Sequence, residues 1–175
     1  MKVIKYLGGP VIIAALAMLC QIFDQKFGAN IGDFLGNTSL VSGAWIAFIG
    51  WACYFLAGCD LKGGGKVLFS TILAVIASTV IIYFGANVFT DLGFWAFPVS
   101  VFVFVIPTIC TEKIKINILP VLFITAGVFF SLPKEVTVDG LLLAGVYEFI
   151  FILLGCVLGY LTILIRGAYD KKFNS

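Results

Sequence analysis

The chain has 175 residues, of which 62% are hydrophobic and only 11% charged, with a mean hydropathy of +1.15. A soluble domain carries about 25% charged residues, so a water-soluble globular enzyme, a disordered chain and a nucleic-acid-binding module are all excluded. The composition predicts an all-α polytopic membrane protein whose first partner is the lipid bilayer and which has no nucleic-acid partner.

Six apolar runs follow one another. A spanning helix needs about 20 mostly apolar residues. The first run covers about Tyr6 to Phe23 and the second about Leu40 to Gly58. The third, Val67 to Phe89, holds no charge. The fourth covers about Leu92 to Cys110, the fifth Ile116 to Leu132, and the sixth about Leu141 to Ile165. The fifth is short and opens on Pro120, which fits either a helix that begins below the membrane surface or an ordinary helix that is tilted or sits in a thinned bilayer. Glycine- and charge-rich joints separate the runs. The segment Phe27 to Ser39 reads as a loop, and Gly63-Gly64-Gly65 as a flexible, non-helical one. Thr90, Asp91 and Gly93 make a tight hairpin between the third and fourth runs. The first run lacks a cleavage pattern and reads as a retained helix.

Lysine and arginine placement sets orientation. Nine of them lie at the termini and in the second and fourth joints, and two in the remaining joints. That split predicts a bacterial inner-membrane, multi-pass protein with both termini cytoplasmic. Asp24, Asp33, Asp91, Glu135 and Asp139 then fall on the outer side. The chain reads as one domain, 1–175, with candidate halves 1–89 and 90–165. A shift of 75 positions lays Phe48 on Phe123, Ile49 on Ile124 and Tyr54-Phe55 on Phe129-Phe130. Three helices per half would insert with opposite polarity, a 3+3 inverted repeat of the kind transporters and channels use.

Few residues carry chemistry. The chain has no histidine, so no His-ligated zinc and no Ser–His or Cys–His couple can form. No cofactor, metal or enzymatic activity is expected. Cys20, Cys53, Cys59, Cys110 and Cys156 form no CxxC pair and read as small buried thiols. Glu148 is the one ionisable side chain clearly inside a span, about 10 Å into the sixth. It is either a pathway or protonation site, or it pairs with Lys134 at the headgroups. Asn117, Pro120, Phe123 and Thr125 are the fifth-span candidates for contact with a solute, and Phe48, Trp51 and Tyr54 the second-span ones. Pro107 is expected to kink the fourth helix. Gly43, Ala47 and Gly50, and Gly155 with Gly159, mark packing seams within the monomer or in a homo-oligomer.

The stretch Ala44 to Lys66, AWIAFIGWACYFLAGCDLKGGGK, resembles the YcdZ-like family of small bacterial inner-membrane proteins. The similarity runs on through Val80-Ile81-Ile82-Tyr83-Phe84-Gly85 and the Pro120 to Ile124 element. That resemblance implies the topology and the inner-membrane location, and carries over no functional residue. The function expected from the residues is a channel or facilitator for a small neutral polar solute, since no ring of charges lines the spans. The alternatives are a proton-coupled secondary transporter using Glu148 and a non-transporting membrane scaffold or assembly component.

Overall fold

The computed structural model describes residues 2–132 and 134–174, with side chains over 8–132 and 134–172. Six α-helices account for most of the described residues, among which there is no strand: α1 Lys2–Phe34, α2 Ala44–Leu56, α3 Leu61–Tyr83, α4 Ala96–Cys110, α5 Leu119–Ser131 and α6 Val138–Asn174. Four stretches are long and apolar enough to cross a bilayer: Gly8–Phe34, Leu61–Val88, Thr90–Lys113 and Val138–Lys172. The chain is therefore a multi-pass membrane protein in architecture. The side chains of Lys2 and Lys5, which enter the orientation argument, lie outside the described residues.

Helices α2 and α5 are different. Each has 13 residues, about 20 Å of helix, against a hydrocarbon core of about 30 Å. Neither crosses as helix alone. Their starts lie 75 residues apart, and so do five buried positions: Ile46, Ala47, Gly50, Cys53 and Tyr54 on α2, then Val121, Leu122, Thr125, Val128 and Phe129 on α5; Ala44 and Trp51 of α2 are buried as well, without buried counterparts. Phe48 and Phe55 face outward, as do Phe123 and Phe130 at the corresponding positions. The two most extensive helix contacts are α2 on α6 and α5 on α3, while α1 lies on α6 and α4 on α3.

The α2–α6 contact is built on glycine. A Cβ at Gly155 would stand 2.1 Å from the Ala47 carbonyl oxygen, and one at Gly50 would stand 2.6 Å from that of Ile152. Gly43 lies under the Phe151 ring and Gly159 under that of Tyr54. The two small-residue seams read from the sequence thus face each other and let the backbones touch. The pairing also fixes depth. α2 begins beside Phe151, 13 residues into α6, so about 20 Å of α6 rises beyond the first turn of α2. α2 thus starts well along α6 from its first residue, and the non-helical segment 35–43, which turns at residues 35–39, returns to reach it.

Two joints differ from the sequence expectation. Helix α1 continues 11 residues past Phe23 to Phe34, because Gly28 and Gly32 give the returning segment a bare face. A Cβ at Gly32 would sit 2.1 Å from the Leu40 carbonyl oxygen. The Gly63–Gly65 triplet is helical, not a flexible joint. Asp60 caps α3 through the Gly63 N–H, and a Cβ at Gly63 would be 2.4 Å from the Ala57 carbonyl oxygen. The hairpin before α4 is short as expected and turns at Gly93, with φ of 52°. Ser100 ties α4 back to α3 by donating to the Ile81 carbonyl at 2.7 Å. Pro107 lies inside α4.

Gly8 and Gly9 of α1 meet Tyr169 and Arg166 of α6, so both ends of the chain share one face of the bundle. That face is called the terminal face below, and the opposite one the far face.

Candidate functional site

A polar cavity of about 560 Å³ opens at the far face. Residues 36–39 of the returning segment form one wall, and Lys134, Glu135, Thr137 and Asp139, just before and within the start of α6, form the other. Its inner lining includes Leu143, so Glu148 lies five residues, about 7.5 Å, further down the same helix.

Lys134 closes the end of α5. Its ammonium donates to the carbonyls of Phe129 at 2.5 Å and Leu132 at 2.7 Å, and stands 4.8 Å from the centre of the Phe129 ring. A cation there complements the negative end of the helix dipole. Burial lowers the pKa of Lys134, and the nearby Glu148 opposes that shift.

Glu148 is fully buried, and neither carboxyl oxygen has a hydrogen-bond partner. It sits 10 residues, about 15 Å, from the start of α6. The first turn with Asp139 lines the polar cavity, so the depth in the apolar run stays about 10 Å, as read from the sequence. Headgroup contact does not describe the fully buried carboxyl, while the alternative partner Lys134 is its charged neighbour and gives its hydrogen bonds to carbonyls at the end of α5. A charge at this depth costs at least about 2.5–3.5 kcal/mol. A bare carboxylate therefore needs a proton, a cation or a partner that moves to it.

Other buried polar groups also lack partners: Trp51 Nε1, the hydroxyls of Tyr54, Ser78, Thr79 and Tyr147, and Asn117 Oδ1. Buried polar atoms are otherwise almost always bonded, so this scatter through the interior is the chemical signature of the molecule. Among the sequence candidates, Glu148, Trp51, Tyr54 and Asn117 belong to it. Asn117 also donates to Thr111 Oγ1 at 2.8 Å. Thr125 is buried but bonds its own helix, at the Val121 carbonyl. Phe48, Phe123 and Pro120 lie on the outside.

Asp24 was not among the sequence candidates. It is buried within α1 rather than lying in an outer loop, and accepts from Ser42 Oγ at 2.8 Å and from the Gly43 N–H at 2.7 Å. It thereby anchors the start of α2, at a level where ordinary caps from solvent are out of reach. Its signal in the sequence was weak: one acid directly after an apolar run reads as the edge of the membrane. Ser78 and Thr79 drew no weight from the sequence because a serine or threonine hydroxyl in a membrane helix usually bonds its own backbone, as Thr71 and Thr162 do here; Tyr147 gave no signal, since a lone tyrosine in an apolar run reads as packing.

Residues 13–166 match the family described as protein of unknown function (DUF1097), and the chain belongs to that family. The match includes the stretch that resembles YcdZ-like proteins and carries no functional description. Neither a curated protein nor a solved structure matches the chain.

Proposed function

We propose that this member of the DUF1097 family is a small secondary transporter in which Glu148 carries the coupling proton. The observation that carries the reading is the fully buried Glu148 carboxyl without a hydrogen-bond partner, on the helix whose first turns line a polar cavity and within electrostatic reach of Lys134 in that cavity's wall. Two further features support it. The first is the correspondence between halves: helices of equal length 75 residues apart with five buried positions in common, and main helix contacts that exchange when the halves exchange. With three helices per half, this is the plan of an inverted repeat, which can rock between two access states. The second is that α2 starts well along α6 from its first residue, as a discontinuous transporter helix that starts inside the membrane would.

In this reading the far face is outside, since the basic residues gather on the terminal face. The protein sits in a bacterial inner membrane with both termini in the cytoplasm. Solute enters the far-face cavity, and Glu148 holds its proton while buried. The backbone contact at Gly50 and Gly155 closes the path towards the terminal face. Rocking of the halves opens that contact, the proton leaves Glu148 for inside water, and the carboxylate draws the Lys134 ammonium from the end of α5. Return and reprotonation from outside complete the cycle. We read the chain as a carrier and not an enzyme, because no nucleophile–base pair can be assembled from its residues.

A facilitator for small neutral solutes is the second reading, favoured by the uncharged Asn37, Thr38, Ser39 and Thr137 of the cavity. Proteoliposomes decide. Uptake from a panel of small polar solutes should accelerate under an inward proton gradient, and that acceleration should vanish in Glu148→Gln with folding retained. Gradient-independent swelling in urea, glycerol or formamide that Glu148→Gln leaves intact selects the facilitator. No flux of any kind, together with a constant co-purifying protein, selects the scaffold role.

A further inference from the structure

Lys134 does more than close the end of α5. Its ammonium donates to the carbonyls of Phe129 at 2.5 Å, Leu132 at 2.7 Å and Phe130 at 3.4 Å, and it stands 4.8 Å from the centre of the Phe129 ring. A primary ammonium carries three N–H donors, so the carbonyls match it one for one. The ring face adds its own attraction for a cation. The last turn of α5 is therefore a cradle for an R–NH3+ group, and Lys134 is its tethered occupant.

Two observations point past the lysine to a free ligand. The cradle lies in the wall of the far-face cavity, whose volume of about 560 Å³ is that of a small-molecule site. Lys134 gives its donors to carbonyls, and among the described residues the cavity carboxylates Glu135 and Asp139 form no ion pair. One ammonium and two carboxylates leave the wall with a net charge of −1, a field that gathers cations at the cradle. The second observation is that Lys134 has another place to go. Glu148 is fully buried, without a hydrogen-bond partner, and within its electrostatic reach.

We infer that the Phe129, Phe130 and Leu132 carbonyls and the Phe129 ring form a binding site for the primary ammonium group of a small amine, which enters when Lys134 moves to Glu148. For that movement the inference rests on the transporter reading, and it names the class of solute carried. A hard metal ion fits less well, since it takes about six to eight oxygens. Nor is there, among the described residues, a group of three or more His, Cys, Asp and Glu able to hold one. A quaternary ammonium has no N–H to give the carbonyls. The same R–NH3+ group is presented by an ethanolamine lipid headgroup, so the test separates the two sources.

Lys134→Ala empties the cradle. The variant is placed in nanodiscs of phosphatidylcholine and phosphatidylglycerol, which bring no primary amine. It is titrated with ethylammonium chloride against tetramethylammonium chloride at matched ionic strength and followed by thermal unfolding. Ethylammonium should stabilise it saturably, and tetramethylammonium should not. The wild type should need roughly tenfold more ethylammonium, because its own ammonium competes at the effective concentration of a short tether. Glu148→Gln added to Lys134→Ala should still respond, since no lysine has to move, so the site can hold where proton coupling fails. Stabilisation by phosphatidylethanolamine but not by ethylammonium would reveal a headgroup site and overturn the assignment to a solute. Equal responses to the two salts, or none to either, would overturn the site, and proton-driven uptake of other solutes could then still stand. Should Lys134→Ala fold only in ethylammonium, that rescue is itself the supporting result. Should it fold in neither salt, the wild-type titration decides by the same comparison.

Discussion

The glycine seam between α2 and α6 gives a prediction with its own internal control. Gly155→Ala puts a methyl group 2.1 Å from the Ala47 carbonyl oxygen and 2.6 Å from the Trp51 amide nitrogen. Both obstacles are backbone, so no side chain can swing aside and the helices must separate. Overpacking of this kind costs about 1–3 kcal/mol. For a chain of this size that is a fall in melting temperature of roughly 2–12 °C. Gly127→Ala is the control. It sits in α5, at a position where a Cβ meets nothing within 4 Å, and alanine gains about 0.5–1 kcal/mol of helix propensity there. The same substitution in two membrane helices should move stability in opposite directions. Thermal unfolding in detergent, followed by a thiol dye, reports on the seam directly, because Cys53 and Cys156 are buried on its two helices. Gly155→Ala should expose them at lower temperature. Equal melting of the two variants would refute the close crossing and the depth assigned to the start of α2.

Two further outcomes follow from the ends of the bundle. Burial holds the Lys134 pKa below that of an ordinary lysine, so the unfolded chain binds the proton more tightly than the folded one. Stability should rise with pH between the lowered folded value and about 10.4; in Lys134→Met, melting curves across that range should lose this slope. Cys59 and Cys110 both lie on the terminal face, at the ends of α2 and α4, and neither is buried. A membrane-impermeant maleimide should therefore spare both in intact cells and label both in inverted vesicles; labelling in intact cells would reverse the orientation.

What the sequence made legible was mostly what lipid dictates. Composition gave the class, the apolar runs gave six helices, and the 75-residue shift pointed to α2 and α5, which share five buried positions while Ala44 and Trp51 of α2 are buried without a buried counterpart on α5. The seams at Gly43, Ala47 and Gly50 and at Gly155 and Gly159 were visible, but not that they face each other. Helix ends were legible only where hydropathy and hydrogen bonding agree. α1 runs past its apolar stretch because Gly28 and Gly32 pack against returning backbone. α3 starts in three glycines because Asp60 caps them. In both cases a tertiary contact, unseen in a window of sequence, overrode the local preference.

The functional residues divide on the same physical line. Glu148 could be found because a carboxylate about 10 Å inside an otherwise apolar run is anomalous in hydrocarbon. Asp24 could not, because an acid beside an apolar run is ordinary until the run proves to continue as buried helix. Once α1 reaches Phe34 and α2 starts beside Phe151, the two acids lie at similar depth with opposite treatment. Asp24 is bonded through both oxygens, and Glu148 through neither. A membrane protein that needed only stability would keep the first arrangement and replace the second with leucine, since removing an unbonded buried carboxyl costs the fold little. Under the proposed transporter reading the contrast gives them separate tasks: Asp24 holds the interrupted helix in place through its two hydrogen bonds, and Glu148 is the group proposed to exchange a proton.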